Sequence, residues 1–329
     1  MKIITSIGDP NGIGLETFAK AITECDQNFF INNSLAIAAS PKIIEDYLRK
    51  INFPFIIEND FLLIDGKKIQ IIEIEKDYEI EFGKISKKSA EIALSSLELA
   101  TDKVLSKEYN ALVTLPISKN AMHLAGFAFP GHTEYLAMKD GAEDILMILF
   151  NDSMRVALAT IHIPLKDVSS QISKKLIENR LVNFNKSLRY DFAINYPKIA
   201  ILGLNPHSGE NGDIGIEEIE IIEPVIEKMQ KSGNSVYGPA PADSFFARND
   251  WKMFDGILAM YHDQGLIPMK MTDKQGGVNF TAGLSFVRTS PDHGTAFNIA
   301  GKNVADSKST LKSLIWAEKI ASNRINFKE

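Results

Sequence analysis

The chain has 329 residues, 45% of them hydrophobic, and a formal net charge of −6; that is enough apolar material for one large domain or two smaller ones. The acidic balance leaves no basic footprint, which excludes nucleic acid and anionic membrane as principal partners. A single cysteine, Cys25, rules out an internal disulfide framework and a multi-thiolate metal site. No apolar signal region opens the chain and no run approaches the ~20 residues of a membrane span, so the expected compartment is the cytoplasm.

In chain order, Lys2 to Ile7 reads as a short strand, Gly8 to Gly14 (GDPNGIG) as a loop and Leu15 to Glu24 as a helix, which together make one βα unit. The SLAIAAS strand and the helix after Pro41 repeat it. Residues 51 to 85 read as short, less regular strands with a turn at Asp65-Gly66-Lys67. A long helix over Ser86 to Lys107 precedes the apolar strand ALVTLPIS. Beyond Gly131 the alternation continues through ILMILF, VALATIHIP, a helix near Lys174 to Leu188, KIAILGLN, a helix across Glu217 to Lys231, and GILAMYH; a last helix spans Leu311 to Asn323. Strands separated by helices of this length predict an α/β fold, with a mainly parallel sheet covered on both faces.

Three apolar runs end in a histidine set in a turn: ALATIHIP (His162), IAILGLNPHSGENG (His207) and GILAMYHDQG (His262). Ligands collect at strand ends in open α/β sheets, so three imidazoles delivered this way suggest one shared metal ion. Any one of them alone is more often a hydrogen-bonded structural residue than a ligand. The glycine loop suggests a phosphate cradle at a helix start, with Gly12 and Gly14 as cofactor candidates. Its spacing matches neither the dinucleotide fingerprint nor a P-loop, however, and a tight βα turn explains it equally well.

In FPGHTEYL, His132 and Thr133 open a helix and suit an anionic substrate group, although Thr133 also suits a helix cap. Downstream come Asp263, Lys270, Asn279, Arg288 and His293 among glycines. Cations near such turns bind phosphate, and an Asn or Arg inside an apolar stretch needs a partner. Asp243, in PAPADSF, suits orientation of a ligand imidazole or a substrate amine, or again a cap. His293 is either structural or near a cofactor.

The segments SIGDPNGIG, FPGHTEYLA, RVALATIHIPL, LGLNPHSGENG, PADSFF, LAMYHDQGLIPMK and GVNFTAGLSFVRTSPDHGTA resemble the signatures of the 4-hydroxythreonine-4-phosphate dehydrogenase (PdxA) family of vitamin B6 biosynthesis. The resemblance runs from the first strand almost to the C-terminus. It departs over residues 50 to 85, and TLPISKNAMHLAGF matches loosely, with Lys119 its clearest shared residue.

The resemblance implies a three-layer α/β/α fold like that of isocitrate and isopropylmalate dehydrogenases, with two lobes around a cleft. Residues 1–125 with 285–329 would form the outer lobe and 126–284 the inner lobe, carrying metal ligands and dimer interface. It also implies a homodimer with the active site at the subunit interface. A divalent metal, commonly zinc and otherwise magnesium or cobalt, would be bound by His162, His207 and His262, one of them from the neighbouring chain. Substrate contacts would be His132, Thr133, Lys270, Asn279 and Arg288, with Asp243 and Asp263 close by; Lys270, Asp263 and Asp243 are the candidates for catalysis.

The implied reaction is NAD- or NADP-dependent oxidation of 4-phosphooxy-L-threonine with decarboxylation to 3-amino-2-oxopropyl phosphate. Alternatives are a related dehydrogenase of another phosphorylated hydroxy acid or a diol, a zinc hydrolase, and a metabolite-binding protein without turnover.

Overall fold

The computed structural model describes residues 1–272 and 276–327. The chain divides into two compact units, Met1–Glu143 with Leu284–Ser322, and Asp144–Gly283 with Asn323–Glu329. Residues 126–143 therefore go with the first unit, whereas the sequence assigned them to the lobe carrying the histidines. The cause is local: the helix His132–Asp140 packs on the long helix Lys87–Leu105.

In chain order the strands of the described residues are β1 (Lys2–Ser6), β2 (Ser34–Ala38), β3 (Ile56–Glu58), β4 (Phe61–Ile64), β5 (Lys67–Ile72), β6 (Ala111–Thr114) and β7 (Leu146–Phe150). They continue with β8 (Arg155–Leu158), β9 (Lys198–Leu202), β10 (Ser235–Ala240), β11 (Gly256–Ala259), β12 (Val278–Ala282) and β13 (Val287–Pro291).

The first unit orders its strands β13-β6-β1-β2-β5-β4-β3. From β13 to β5 every pairing is parallel. β1, β2 and β6 are buried almost throughout, as expected of parallel strands covered on both faces. The irregular region forms an antiparallel β3-β4-β5 meander. Its last turn is Asp65-Gly66, both residues at positive φ, the backbone that a two-residue hairpin demands.

The second unit orders its strands β10-β9-β11-β8-β7-β12. β10, β9, β11 and β8 run parallel, while β7 runs antiparallel to both β8 and β12. The reversal at β7 has a short-range cause. The Asn151 side chain accepts the amides of Ser153 and Met154 at 2.9 and 2.8 Å, closing a turn too short for a crossover. The core packs Val156, Leu158, Leu202, Ile257 and Ala259 of the sheet against Leu266 and Met269 of the helix His262–Thr272. Among the described residues no helix is long and apolar enough to cross a membrane.

Candidate functional site

Because β9, β11 and β8 are parallel neighbours, their carboxyl ends lie side by side, and each is followed by one of the three histidines. Side chains tie these exits together. Gln264 accepts the Met260 amide at 2.7 Å and donates to the Gly203 carbonyl at 2.6 Å, linking the β11 and β9 exits. The Thr160 hydroxyl donates to the Met260 carbonyl at 2.7 Å, linking β8 to β11. Neither residue was singled out from sequence, since a Gln and a Thr carry no ligand signature.

His262 begins the helix His262–Thr272, and its Nδ1 lies 2.7 Å from Asp263 Oδ1. A carboxylate on one ring nitrogen fixes the tautomer and leaves Nε2 to bind a ligand, as is usual for metal-binding imidazoles. Asp263, a candidate for catalysis from the sequence, is placed here to orient an imidazole.

The His162 and His262 ring centres lie 5.8 Å apart. Two imidazoles bound tetrahedrally to one ion at Zn–N of about 2.0–2.1 Å have centres roughly 5 Å apart, so the pair fits a common divalent ion after a small movement. His207 is exposed and lines a cavity of about 560 Å³ with Asp243, Asp263, Phe246, Tyr261 and Met271. Among the described residues no three His, Cys, Asp or Glu side chains gather closely enough to hold an ion within one chain.

The segment carrying His207 is conformationally costly. Residues 207–211 all have positive φ, and four of them (His207, Ser208, Glu210 and Asn211) bear side chains. At ~1–2 kcal/mol per non-glycine residue, the left-handed turn costs on the order of 4–8 kcal/mol that surrounding contacts must offset. Lys270 lies exposed two turns along the helix from His262. Asn279, on β12, has a buried Oδ1 without a hydrogen-bond partner, a polar atom awaiting a donor.

The first unit holds a second constellation. Arg288, on β13, is only 3% exposed, and its Nε and one terminal nitrogen donate to Thr114 Oγ1 at 3.1 and 2.7 Å. Burial lowers its guanidinium pKa to about 10, an effect that Glu134 opposes. His132 opens the helix after Gly131, and its Nε2 is buried without a partner. Burial, then the charges of Arg288 and Lys119, hold its imidazole well below the usual pKa, so it is neutral. Thr133 is buried beside it and does not cap the helix, because Gly131 occupies that position. A buried cation beside a neutral imidazole, with Lys119 adding positive charge and Glu134 opposing it, suits a phosphate or carboxylate.

The glycine loop is different in kind. Residues 8 to 14 are buried, and Gly12 lies so close to Thr295 that a Cβ would come 2.9 Å from its carbonyl oxygen. The Ile13 amide donates to that carbonyl, and the Gly12 amide to Asp9. These glycines serve close packing, with their neighbouring amides already engaged. The loop hides Asp9, missed from sequence: burial raises its carboxyl pKa to about 6, and Oδ2 has no partner. His293, after β13, bonds the Gly294 carbonyl through Nδ1, while its buried Nε2 is unpartnered and burial lowers its pKa.

Parallel strand exits that each deliver a histidine, one of them oriented by a carboxylate, form the kind of strand-end site that α/β enzymes use. Residues 25–317 match the family model described as pyridoxal phosphate biosynthetic protein PdxA. The chain is 42% identical to the 4-hydroxythreonine-4-phosphate dehydrogenase of Sulfurihydrogenibium sp. (strain YO3AOP1), over 95% of this chain and 96% of that protein. A crystal structure of the Klebsiella pneumoniae 4-hydroxythreonine-4-phosphate dehydrogenase superposes with a TM-score of 0.81 at 33% identity, covering 97% and 98% of the two chains. A terephthalate 1,2-cis-dihydrodiol dehydrogenase from Burkholderia xenovorans LB400 is more distant, with a TM-score of 0.65 at 25% identity and the same coverages. The chain belongs to the PdxA family.

Proposed function

We propose that this chain is the 4-hydroxythreonine-4-phosphate dehydrogenase of pyridoxal phosphate biosynthesis, acting in the cytoplasm as a homodimer. The observation that carries this reading is Arg288, a guanidinium buried to 3% exposure beside a neutral His132 whose Nε2 is unpartnered. Such a cluster of buried positive charge and neutral polar groups suits a phosphorylated substrate better than a neutral one.

In the reaction, the C3 hydroxyl of 4-phosphooxy-L-threonine loses a proton and C3 gives a hydride to NAD or NADP. The resulting 3-keto acid releases CO2, and a proton takes its place at C2, leaving 3-amino-2-oxopropyl phosphate. Arg288, Lys119, Thr133 and His132, all in the first unit, hold the anionic end. Fixing the charged ends restricts how the reacting carbon is presented, a major source of rate. Asp243 positions the amine, and Lys270 serves the proton at C2. His162, His207 and His262 would hold a divalent ion, zinc or else magnesium or cobalt, with one of the three supplied by the second subunit. When bound, that ion supplies Lewis-acid polarisation of a substrate oxygen. Asp263 keeps His262 aligned for it.

The test is purified protein with 4-phosphooxy-L-threonine and each nicotinamide, following the near-ultraviolet absorbance of the reduced cofactor. Reduction that stops on chelation and returns with zinc or cobalt is the expected result. Full rate in metal-stripped enzyme would remove the metal from the reading, and turnover of a diol but not of the phosphorylated amino acid would move the chain to the branch of the Burkholderia relative.

A further inference from the structure

His207 sits on a backbone the chain would not adopt unaided; Glu217 Oε2 accepts Asn205 Nδ2 at 2.8 Å and Ser208 donates to the Pro239 carbonyl, but the backbone amides leading into the turn are gripped by one buried acid. Glu218 is 0% exposed. Its Oε1 accepts the amides of Leu204 and Asn205 at 2.7 and 2.8 Å, and its Oε2 accepts Asn205 Nδ2 at 2.9 Å. These are the two residues immediately before Pro206-His207. The same carboxylate fills the hollow of the left-handed turn: a Cβ on Gly209 would stand 2.8 Å from Oε2 and 2.7 Å from the Gly215 carbonyl oxygen.

Glu218 begins a π-helical turn, Glu218–Ile222, ahead of the regular helix Glu223–Lys231. Turns of that width recur where a side chain must be re-aimed at a functional site. A wholly buried carboxylate is a costly way to close a loop, which apolar packing does as well. Here its acceptors are directed only at the stretch that delivers His207.

We propose that Glu218 is a positioning residue for His207, holding the left-handed turn that sets where the imidazole points. This rests on the reading of His207 as a ligand of the divalent ion. A structural role alone would change stability; a positioning role changes how the ion is held.

The experiment titrates cobalt(II) into the metal-free full-length protein against a chromophoric chelator, reading affinity and the visible cobalt spectrum, with thermal unfolding of each metal-free form. Two mild variants are used. Glu218→Gln keeps an acceptor for the two amides but sets an NH2 against Asn205 Nδ2 and is the specific probe, while Asn205→Ala removes the side chain shared by Glu218 and Glu217. His207→Ala is the reference. Both mild variants are expected to weaken cobalt binding by roughly 10- to 100-fold, the usual effect of losing a group that orients a ligand, and to alter the cobalt spectrum.

Unchanged affinity and spectrum in both, with binding lost in His207→Ala, overturns the proposal and leaves His207 as a ligand. A lowered melting midpoint with unchanged cobalt affinity assigns Glu218 to stability alone and also overturns it. Wild-type binding by His207→Ala overturns the ligand reading itself, and the positioning role with it.

Discussion

Replacing Asp9 with asparagine should stabilise the protein, and only at neutral and alkaline pH. Asp9 is 1% exposed; its Oδ1 accepts the Asn11 amide at 3.0 Å and its Oδ2 has no partner. Burial raises the carboxyl pKa from 3.8 to about 6, against partial offsets from the Asn11 amide and then the nearby Ser89 hydroxyl. A carboxyl whose folded pKa is raised binds its proton more tightly when folded. Its contribution is therefore fully present below the unfolded pKa of about 4 and is lost as pH rises through about 6. The displacement corresponds to about 3 kcal/mol lost at alkaline pH, at 1.36 kcal/mol for each tenfold change in affinity.

The Asp9→Asn side chain keeps an acceptor for the Asn11 amide and carries no charge to bury. At about 2–4 °C per kcal/mol for a unit of this size, the midpoint should rise by up to about 6–12 °C at pH near 8. Near pH 4 the two proteins should melt together. Paired thermal unfolding at both pH values decides the matter. A variant no more stable than wild type at the higher pH, or stabilised equally at both, would refute the claim that an ionised carboxylate is held there out of water.

Two further outcomes follow from the first unit. Arg288→Met should raise KM for the phosphorylated substrate by roughly 10- to 100-fold, the value of one or two charge-assisted hydrogen bonds, and leave KM for the nicotinamide nearly unchanged; steady-state kinetics with each varied in turn would expose general damage as equal losses. Gly12→Ala should cost about 1–3 kcal/mol in denaturant unfolding, because its Cβ would press within 2.9 Å of the Thr295 carbonyl oxygen. An unchanged midpoint would show that the loop has room to spare and restore the cradle interpretation.

What was readable in the sequence was what repeats or alternates. The apolar runs ahead of His162, His207 and His262 located three parallel strand exits, and Asp65-Gly66 marked a hairpin by the backbone that turn requires. Arg288 stood out because a cation amid apolar neighbours must have a reason to be there. The helix His262–Thr272 was missed. Gly265 and Pro268 argue against a helix, yet Gly265 is what lets it lie on the sheet, since a Cβ there would reach Val156 Cγ1 at 2.5 Å. The reversal of β7 depended on one asparagine closing a turn, a bond between side chain and backbone that leaves no periodic trace.

The deepest gap concerns acids. Glu218 and Asp9 are, as letters, two of 42 acidic residues in an acidic chain, and nothing in their local patterns separates them from solvated neighbours. Both are buried, and both stand against loops that leave the carboxyl ends of parallel strands. Hydrophobic periodicity reports which faces a sheet will bury, but a strand exit is where the period stops and the chain must turn on itself. There the backbone amides lose their sheet partners, and an ionised or proton-sharing carboxyl is among the few groups that can accept several of them at once. The residues that shape such a site are therefore the ones whose burial a pattern of apolar and polar letters is least able to report.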